Sequence, residues 1–224
     1  MPGDAFKHTD QENILDVIEL AERSFGADLS PVYNTRVSTL GEFVDLMHQY
    51  TPGESATDCT TQQAFYRLRT SLAIISGANP STIRPDTALA DLIPLANRRQ
   101  VVAKLDHELG IATELLVPRQ WLVTSLACLL LISLAIIGPA WPYGLLGLFL
   151  YSLGVWWSYR TTTTLSVTTV GQLAQKLSRE HYRAVRRNAT TVNRSELESF
   201  LLDLFSHELS IPRQQLTRNT LLLR

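Results

Sequence analysis

The 224-residue chain is long enough for one medium or two small domains, and 45% of its residues are hydrophobic, which is ordinary for a chain that buries a core. Its two cysteines, Cys59 and Cys128, lie in a polar and an apolar segment, so the sequence excludes a disulfide framework and favours a reducing compartment. The net charge of −1 hides a division: residues 1–58 carry 3 basic and 11 acidic side chains, whereas residues 160–224 carry 10 basic and 5 acidic ones.

The first predicted element is an amphipathic helix in "NILDVIELAERSF", where Ile14, Val17 and Phe25 fall on one stripe. Similar spacing predicts a helix in "QQAFYRLRTSLAIISG", ending at Gly77, and another in "NRRQVVAKLDHELG", ending at Gly110. No alternating strand pattern of useful length occurs in the flanking segments. We therefore expect the protein to be all-α.

The central block from Gln120 to Tyr159 contains no charged residue. It holds two apolar arms, 121–137 and 143–159, separated by "GPAWP", in which two prolines and a glycine break a helix. Each arm covers about 25 Å as a helix, slightly under the hydrocarbon thickness of a bilayer, and aromatic residues lie at the arm ends. The block predicts an inserted two-helix transmembrane hairpin; a hairpin buried in the core of a soluble protein is the alternative.

The basic residues that flank this block predict its orientation. Arg98, Arg99, Lys104 and Arg119 precede the first arm, and Arg160 begins the basic segment after the second, while the connecting turn has no charge. Positive flanks stay in the cytoplasm. We expect a multi-pass protein of the inner membrane, with the lipid bilayer as one partner and both termini in the cytoplasm.

Several phrases of the sequence occur twice. The pairs are "VSTLGEFVDLM" (37–47) with "VTTVGQLAQKL" (167–177), "LDHELGI" (105–111) with "FSHELSI" (205–211), and, more loosely, "STIRPDTAL" (81–89) with "QQLTRNTLL" (214–222). Repetition of this kind indicates related helical units, and the three pairs place three such units in the chain.

These units resemble the acyl carrier proteins, whose fold runs from a long helix through a loop to a second helix, which begins at a modified serine, and then to a short last helix. Residues 62–118 plus 161–187 are similar to a whole unit, into which the hairpin is inserted before the last helix. After a linker at 51–61 is set aside, residues 1–50 resemble only the second half of a unit. Residues 192–224 resemble only the first half.

The two terminal halves would complete one unit if they paired, with 192–224 supplying its start and 1–50 its finish. A truncated array, or an exchange of halves between neighbouring chains, explains the same sequence. The sequence does not determine the oligomeric state.

The resemblance implies a serine that carries a phosphopantetheine arm at the start of the second helix. The matching position is Ala96 in the middle unit and falls near Gln11 in the first. Neither residue has a nucleophilic atom. We expect a degenerate carrier-like protein without a cofactor, which is not an enzyme and serves as an interaction scaffold. The alternatives are a functional carrier with its serine elsewhere, or an accessory subunit of a membrane enzyme.

The resemblance also implies a partner surface, because carrier proteins meet their partners through an acidic second helix. Asp16, Glu19 and Glu22 occupy that helix, although the solvated side of an amphipathic helix has the same composition. The expected partner is a cytosolic or membrane protein, such as an enzyme that handles acyl chains or lipids. In the middle unit the basic residues of the second helix either fix topology or contact anionic headgroups.

Other kinds of site are not indicated. His107 and His207 are each followed by glutamate but lack the second histidine of a zinc protease helix, and no metal site or phosphate loop occurs. The basic segment 183–194 has few aromatic residues among its charges, which argues against a nucleic-acid partner.

Overall fold

The computed structural model describes Phe6 and residues 9–32, 37–137 and 141–222. These residues form ten helices: α1 Gln11–Phe25, α2 Leu40–Tyr50, α3 Thr60–Ser76, α4 Leu89–Leu92, α5 Arg98–Leu109, α6 Gln120–Ile136, α7 Trp141–Thr161, α8 Val170–Glu180, α9 Tyr182–Val185 and α10 Arg194–Glu208. They also form four two-residue strands: β1 Glu54–Ser55, β2 Leu116–Val117, β3 Thr164–Leu165 and β4 Thr191–Val192. The predicted all-α class is confirmed, because the strands only join connecting segments in pairs.

Among the described residues, no helix combines the length and the apolar character that crossing a membrane requires.

Local sequence explains where the main helices begin and end. Both α2 and α8 start at a threonine whose side chain accepts a hydrogen bond from the backbone three residues on: Thr39 from Glu42 and Thr169 from Gln172. The third residue in turn accepts from the threonine backbone, which completes a capping box. Gly110 ends α5 in the left-handed conformation, where a side chain would be strained.

One hydrophobic core belongs to the middle of the sequence. We name α3, α4, α5 and α8 the inner unit. The sides of α3, α5 and α8 that face one another carry its apolar residues, and the loop between α3 and α5 closes one end. Its fully buried members include Leu68, Leu72, Leu89, Ile93, Leu105, Leu109, Leu173 and Leu177.

A second core joins segments that are far apart in the sequence. We name α1, α2, α10 and residues 211–222 the outer unit. Its core contains Ile14, Phe25, Phe43, Leu201 and Phe205, all at most 2% exposed. The Phe43 and Phe205 rings meet edge to face with centroids 5.7 Å apart. The beginning of the sequence therefore packs against its end.

Each unit attaches the start of one helix, α2 or α8, to a loop of the same unit in the same manner. This contact explains the glycine in both "STLG" and "TTVG". A Cβ at Gly41 would lie 2.8 Å from the Arg218 carbonyl oxygen, and one at Gly171 would lie 2.9 Å from that of Pro85. In the outer unit the Gly41 N–H donates to the Arg218 carbonyl at 2.8 Å, and the Leu40 N–H donates to the Thr220 carbonyl at 2.9 Å. In the inner unit the Gly171 N–H donates to the Pro85 carbonyl at 2.8 Å, and the Val170 N–H donates to the Thr87 carbonyl at 3.1 Å.

The units also contact each other through α8 and α9. Phe25 of the outer unit stacks on Tyr182 with ring centroids 4.6 Å apart. The Ser24 hydroxyl donates to the Arg179 carbonyl at 2.5 Å and accepts from the Tyr182 N–H at 2.9 Å. A parallel pairing of β1 with β4 joins the linker at 51–61 to the segment between α9 and α10, which we name the second linker.

Helices α6 and α7 form a hairpin that leaves the inner unit between α5 and α8. The antiparallel pair β2 and β3 joins its two ends, with Leu116 opposite Leu165. The helices pack closely at Gly144 and Gly147, where an added Cβ would meet the Ile137 backbone at 2.9 Å and the Ser133 hydroxyl at 2.2 Å.

The predicted turn at 138–142 was too long on its carboxyl side. Trp141 and Pro142 already belong to α7, because proline is compatible with the first turn of a helix, whose N–H groups have no partner in the helix. Residues 138–140 lie outside the described residues.

Candidate functional site

The attachment position implied by the carrier resemblance lies at the start of α5. Ala96 is exposed in a single 3₁₀ turn, Leu95–Asn97, that leads directly into this helix. Gln11 is exposed as the first residue of α1. Ala96 therefore lies at the start of α5, and Gln11 lies at the start of α1.

A shared contact at the other end of these helices aligns α1 with α5. The Leu29 N–H donates to Glu22 at 3.1 Å, and the Thr113 N–H donates to Asp106 at 3.0 Å. Counting back over equal distances places Glu12 opposite Ala96, one residue beyond Gln11. None of the three side chains carries a hydroxyl or thiol, so these positions have no group that could accept a phosphopantetheine arm.

The acidic residues of α1 differ in their surroundings. Asp16 and Glu19 are exposed neighbours one turn apart, and Glu19 lies 3.9 Å from the Arg23 guanidinium. Glu22 is half-buried, and its carboxylate accepts the Leu29 N–H. Asp16 and Glu19 thus form a small solvent-facing acidic surface, whereas Glu22 has a structural contact with the following loop.

Four of the five predicted basic residues gather at the base of the hairpin. Arg98 donates to the Thr163 carbonyl at 2.7 Å, and Arg99 donates to the Arg160 carbonyl. The Arg160 carbonyl belongs to the last turn of α7, whereas Thr163 lies just beyond the helix. Arg99 therefore caps the carboxyl end of α7, where a helix carries partial negative charge, and Arg98 holds the segment that follows it. Arg119 directly precedes α6.

Arg160 makes a cation–π contact: its guanidinium lies 4.8 Å from the centre of the Trp156 ring. Lys104 is exposed farther along α5.

A groove opens beside Arg119 at the base of the hairpin. We name it the basal groove; its volume is about 290 Å³. Its walls come from the first turn of α6, the last turns of α7 and the segment that follows α7. The lining residues are Arg119, Trp121, Leu122, Trp157, Ser158 and residues 161–164.

The sequence alone did not identify a second charged cluster, which lies between the units. The ammonium of Lys176, a residue only 9% exposed, donates to the carbonyls of Thr113 and Glu114 at 3.1 and 2.8 Å. The Glu180 carboxylate lies 3.8 Å from this ammonium. Burial raises the pKa of Glu180 to about 7, although the positive charge of Lys176 opposes the rise.

His181 is the residue after Glu180 and belongs to the same cluster. Its Nε2 lies 3.0 Å from the Ala112 carbonyl, and burial lowers its pKa. One sequence signal could have found this cluster: Lys176 and Glu180 lie three and seven residues after Leu173, which places them beside the apolar stripe of α8.

Arg186 is a third charged residue that the sequence did not single out, because it belongs to a basic run. It is only 3% exposed. Its guanidinium donates to Thr60 at 2.6 Å, contacts Thr191 and Tyr182, and lies 5.6 Å from the centre of the Tyr182 ring. Arg186 therefore ties the start of α3 to α9 and the second linker.

Within the described parts of the chain, no three or more histidine, cysteine, aspartate or glutamate side chains are grouped so that they could hold a metal ion. Comparison with known proteins gives no family: no protein-family model, no curated protein and no solved structure matches the sequence.

Proposed function

We propose that the protein is a membrane-anchored scaffold, with two carrier-like helical units that lack the prosthetic group and bind another protein on the cytoplasmic face of the inner membrane. The exposed apolar surface of the hairpin carries this proposal.

That surface is concentrated on α6 and α7. Nineteen large apolar side chains are exposed in the described residues, and fourteen of them belong to these two helices. They include Leu131, Trp141 and Phe149, which are 67%, 64% and 65% exposed. A soluble protein rarely exposes so many neighbouring apolar side chains, because contact of apolar surface with water raises the free energy of the protein. Lipid is the environment that such a surface matches.

The dimensions of the hairpin support insertion as a pair. At about 1.5 Å per residue, the 17 residues of α6 span roughly 25 Å, and the hydrocarbon layer is about 30 Å thick. A bilayer can thin locally around a short hairpin. The start of α6 and the end of α7 lie on the same side of the hairpin. The two units therefore remain on one side of the bilayer whether or not the turn between α6 and α7 reaches the opposite bilayer surface. The arginines at the base favour the cytoplasmic side for that end.

The order of elements supports the carrier resemblance. In the inner unit, α3, its loop, α5 and α8 follow the order of a carrier unit, with the hairpin inserted before α8. In the outer unit, α10, its loop, α1 and α2 follow the same order, although the sequence begins in the middle of it. The absence of a nucleophile at Ala96, Gln11 and Glu12 favours a scaffold over a carrier.

The exposed acidic surface supplies the expected contact. Asp16 and Glu19 would attract a partner with a basic surface, an interaction that weakens as salt screens it. The resemblance suggests that this partner is an enzyme acting on acyl chains or lipids.

The first test is the intact mass of the protein after coexpression with a broad-specificity phosphopantetheinyl transferase. We expect no added arm, whereas a known carrier protein coexpressed in parallel should be modified fully. A modified serine anywhere in the chain would contradict the scaffold proposal and identify a functional carrier.

The second test is cross-linking in native membranes from a photoreactive residue that replaces Glu19. The expected product is one membrane or cytosolic protein whose yield falls at high salt and with Asp16→Asn. Asp86→Asn, a change at an exposed acidic residue of the inner unit, should leave the yield unchanged. Equal loss of yield with both variants would argue against a specific acidic contact.

A further inference from the structure

We infer that the basal groove binds the headgroup of an anionic phospholipid. This inference rests on the proposed membrane anchoring and adds to it a selectivity among lipids.

The groove is positively charged and has no acidic wall. Arg119 is exposed beside it, and no aspartate or glutamate lines it. Neither Arg119 nor Arg98 nor Arg160 forms an ion pair with a carboxylate of the described residues. A negatively charged group in the groove would therefore meet uncompensated positive charge.

The helix ends strengthen this field. The amino end of α6 forms one wall, and its first N–H groups add partial positive charge. The carboxyl end of α7 would add partial negative charge at the same wall, but Arg99 donates to a carbonyl of its last turn and Arg98 donates to the Thr163 carbonyl just beyond it. The net field at the groove thus favours an anion.

The side chains of the groove match a lipid headgroup better than a free anion. The rings of Trp121 and Trp157 are 60% and 62% exposed, and amphipathic rings of this kind prefer the boundary between headgroups and acyl chains. The hydroxyls of Thr161 and Thr162 already donate to carbonyls of α7, at 2.9 and 2.7 Å. Arg119 is the one charged side chain among the lining residues, so a phosphate would pair with it, with acyl chains running along the apolar hairpin.

The test uses the tryptophans, because all four in the sequence lie on α6 and α7. In the full-length chain, Trp141→Phe and Trp156→Phe leave only the two groove rings as reporters. This protein is reconstituted into phosphatidylcholine vesicles in which a fixed fraction of the lipid is brominated, either as phosphatidylglycerol or as phosphatidylcholine. Bromine quenches tryptophan fluorescence on contact.

We expect the local fraction of brominated phosphatidylglycerol at the groove to exceed its bulk fraction by about five-fold. This enrichment follows from the electrostatic attraction between one arginine and an anionic lipid. It should therefore quench more strongly than brominated phosphatidylcholine. Arg119→Gln should abolish the difference, whereas Arg84→Gln, at an exposed position on the inner unit, should preserve it.

The two proposals fail in different ways. Equal quenching by both lipids would overturn the inferred selectivity and leave anchoring intact. Quenching by neither lipid would overturn both the anchoring and the inference.

Discussion

Two buried cations of the protein donate to neutral oxygens rather than to carboxylates alone. Lys176 donates to two carbonyls of the segment after α5, and Arg186 donates to a threonine at the start of α3. Such groups are costly to leave without partners, because water cannot replace the lost hydrogen bonds in a buried site. These two residues should therefore be sensitive to substitution.

Arg186→Ala should lower the free energy of unfolding by roughly 2–4 kcal/mol, since it leaves the Thr60 and Tyr182 hydroxyls without this partner and empties the space beside the Tyr182 ring. Urea unfolding in mild detergent, followed by circular dichroism, measures the change. Arg187→Ala is the matched control, because Arg187 is exposed in the same basic run and should change stability little. Equal effects would contradict a specific role for Arg186.

Glu180 should make stability depend on pH. Its pKa rises from an ordinary value of 4.5 to about 7 in the folded protein, so the folded state holds this proton over a range where the unfolded state has lost it. The free energy of unfolding should therefore fall as pH rises from about 4.5 to about 7.

Glu180→Gln, which imitates the protonated form, should remove this loss. We expect the variant to exceed the wild type by roughly 1–3 kcal/mol at pH 8 and to match it near pH 4, with the lower figure allowing for partial exposure and the attraction to Lys176. His181 titrates in both proteins, so its contribution cancels in the comparison. A variant less stable than the wild type at pH 8 would show instead that the Lys176 contact outweighs the burial of the charge.

At the scale of the elements, the hairpin depends on close approach between its two helices. Gly144→Ala should lower the free energy of unfolding of the hairpin by about 1–3 kcal/mol. The added Cβ would clash with the Ile137 backbone, which cannot change rotamer as a side chain can. Gly154→Ala is the control: its Cβ would meet only the flexible end of the Leu126 side chain. Tryptophan fluorescence in detergent follows both melts. Similar melting of the two variants would indicate a loosely packed pair.

The elements themselves were largely predictable. Apolar periodicity and a terminal glycine gave α3 and α5 within two residues of their observed bounds, because helix ends are decided locally. The beginning of α7 was missed, since proline both breaks helices and suits their first turn. The short strands had no signal, because each follows from the positions of the helices it joins.

At the scale of the molecule, the repeated phrases indicated related units. The spacing of Lys176 and Glu180 on α8 was a weak signal for their cluster, and no sequence signal distinguished Arg186 from its basic run. Lys176, Glu180 and Arg186 are distinguished by what packs over them, and that depends on long-range contacts. The positions Ala96 and Gln11 stay predictions of the carrier resemblance; the structure places them at the starts of α5 and α1.

Because α1, α2 and α10 share one core, truncation of the chain before α10 should destabilise α1 and α2. Removal of residues 193–224 takes away α10, whose buried leucines and Phe205 pack on α1 and α2. We expect amide hydrogens of α1 and α2 to exchange quickly in the truncated protein, while those of α3 and α5 retain slow exchange, since the inner core keeps all its members. Hydrogen exchange with mass spectrometry measures both. Slow exchange in α1 and α2 after truncation would contradict the shared core.

The packing of α1 and α2 against α10 also affects the order in which the protein folds during translation. Helices α1 and α2 leave the ribosome well before their partner α10 has been translated, and at about 5–20 residues per second the delay is roughly ten to thirty seconds. During that interval the apolar faces of both helices lack α10, while the hairpin has already been translated. Under the proposed membrane anchoring, insertion of the hairpin would precede completion of the outer unit, and chaperones would have their longest opportunity to bind at α1 and α2.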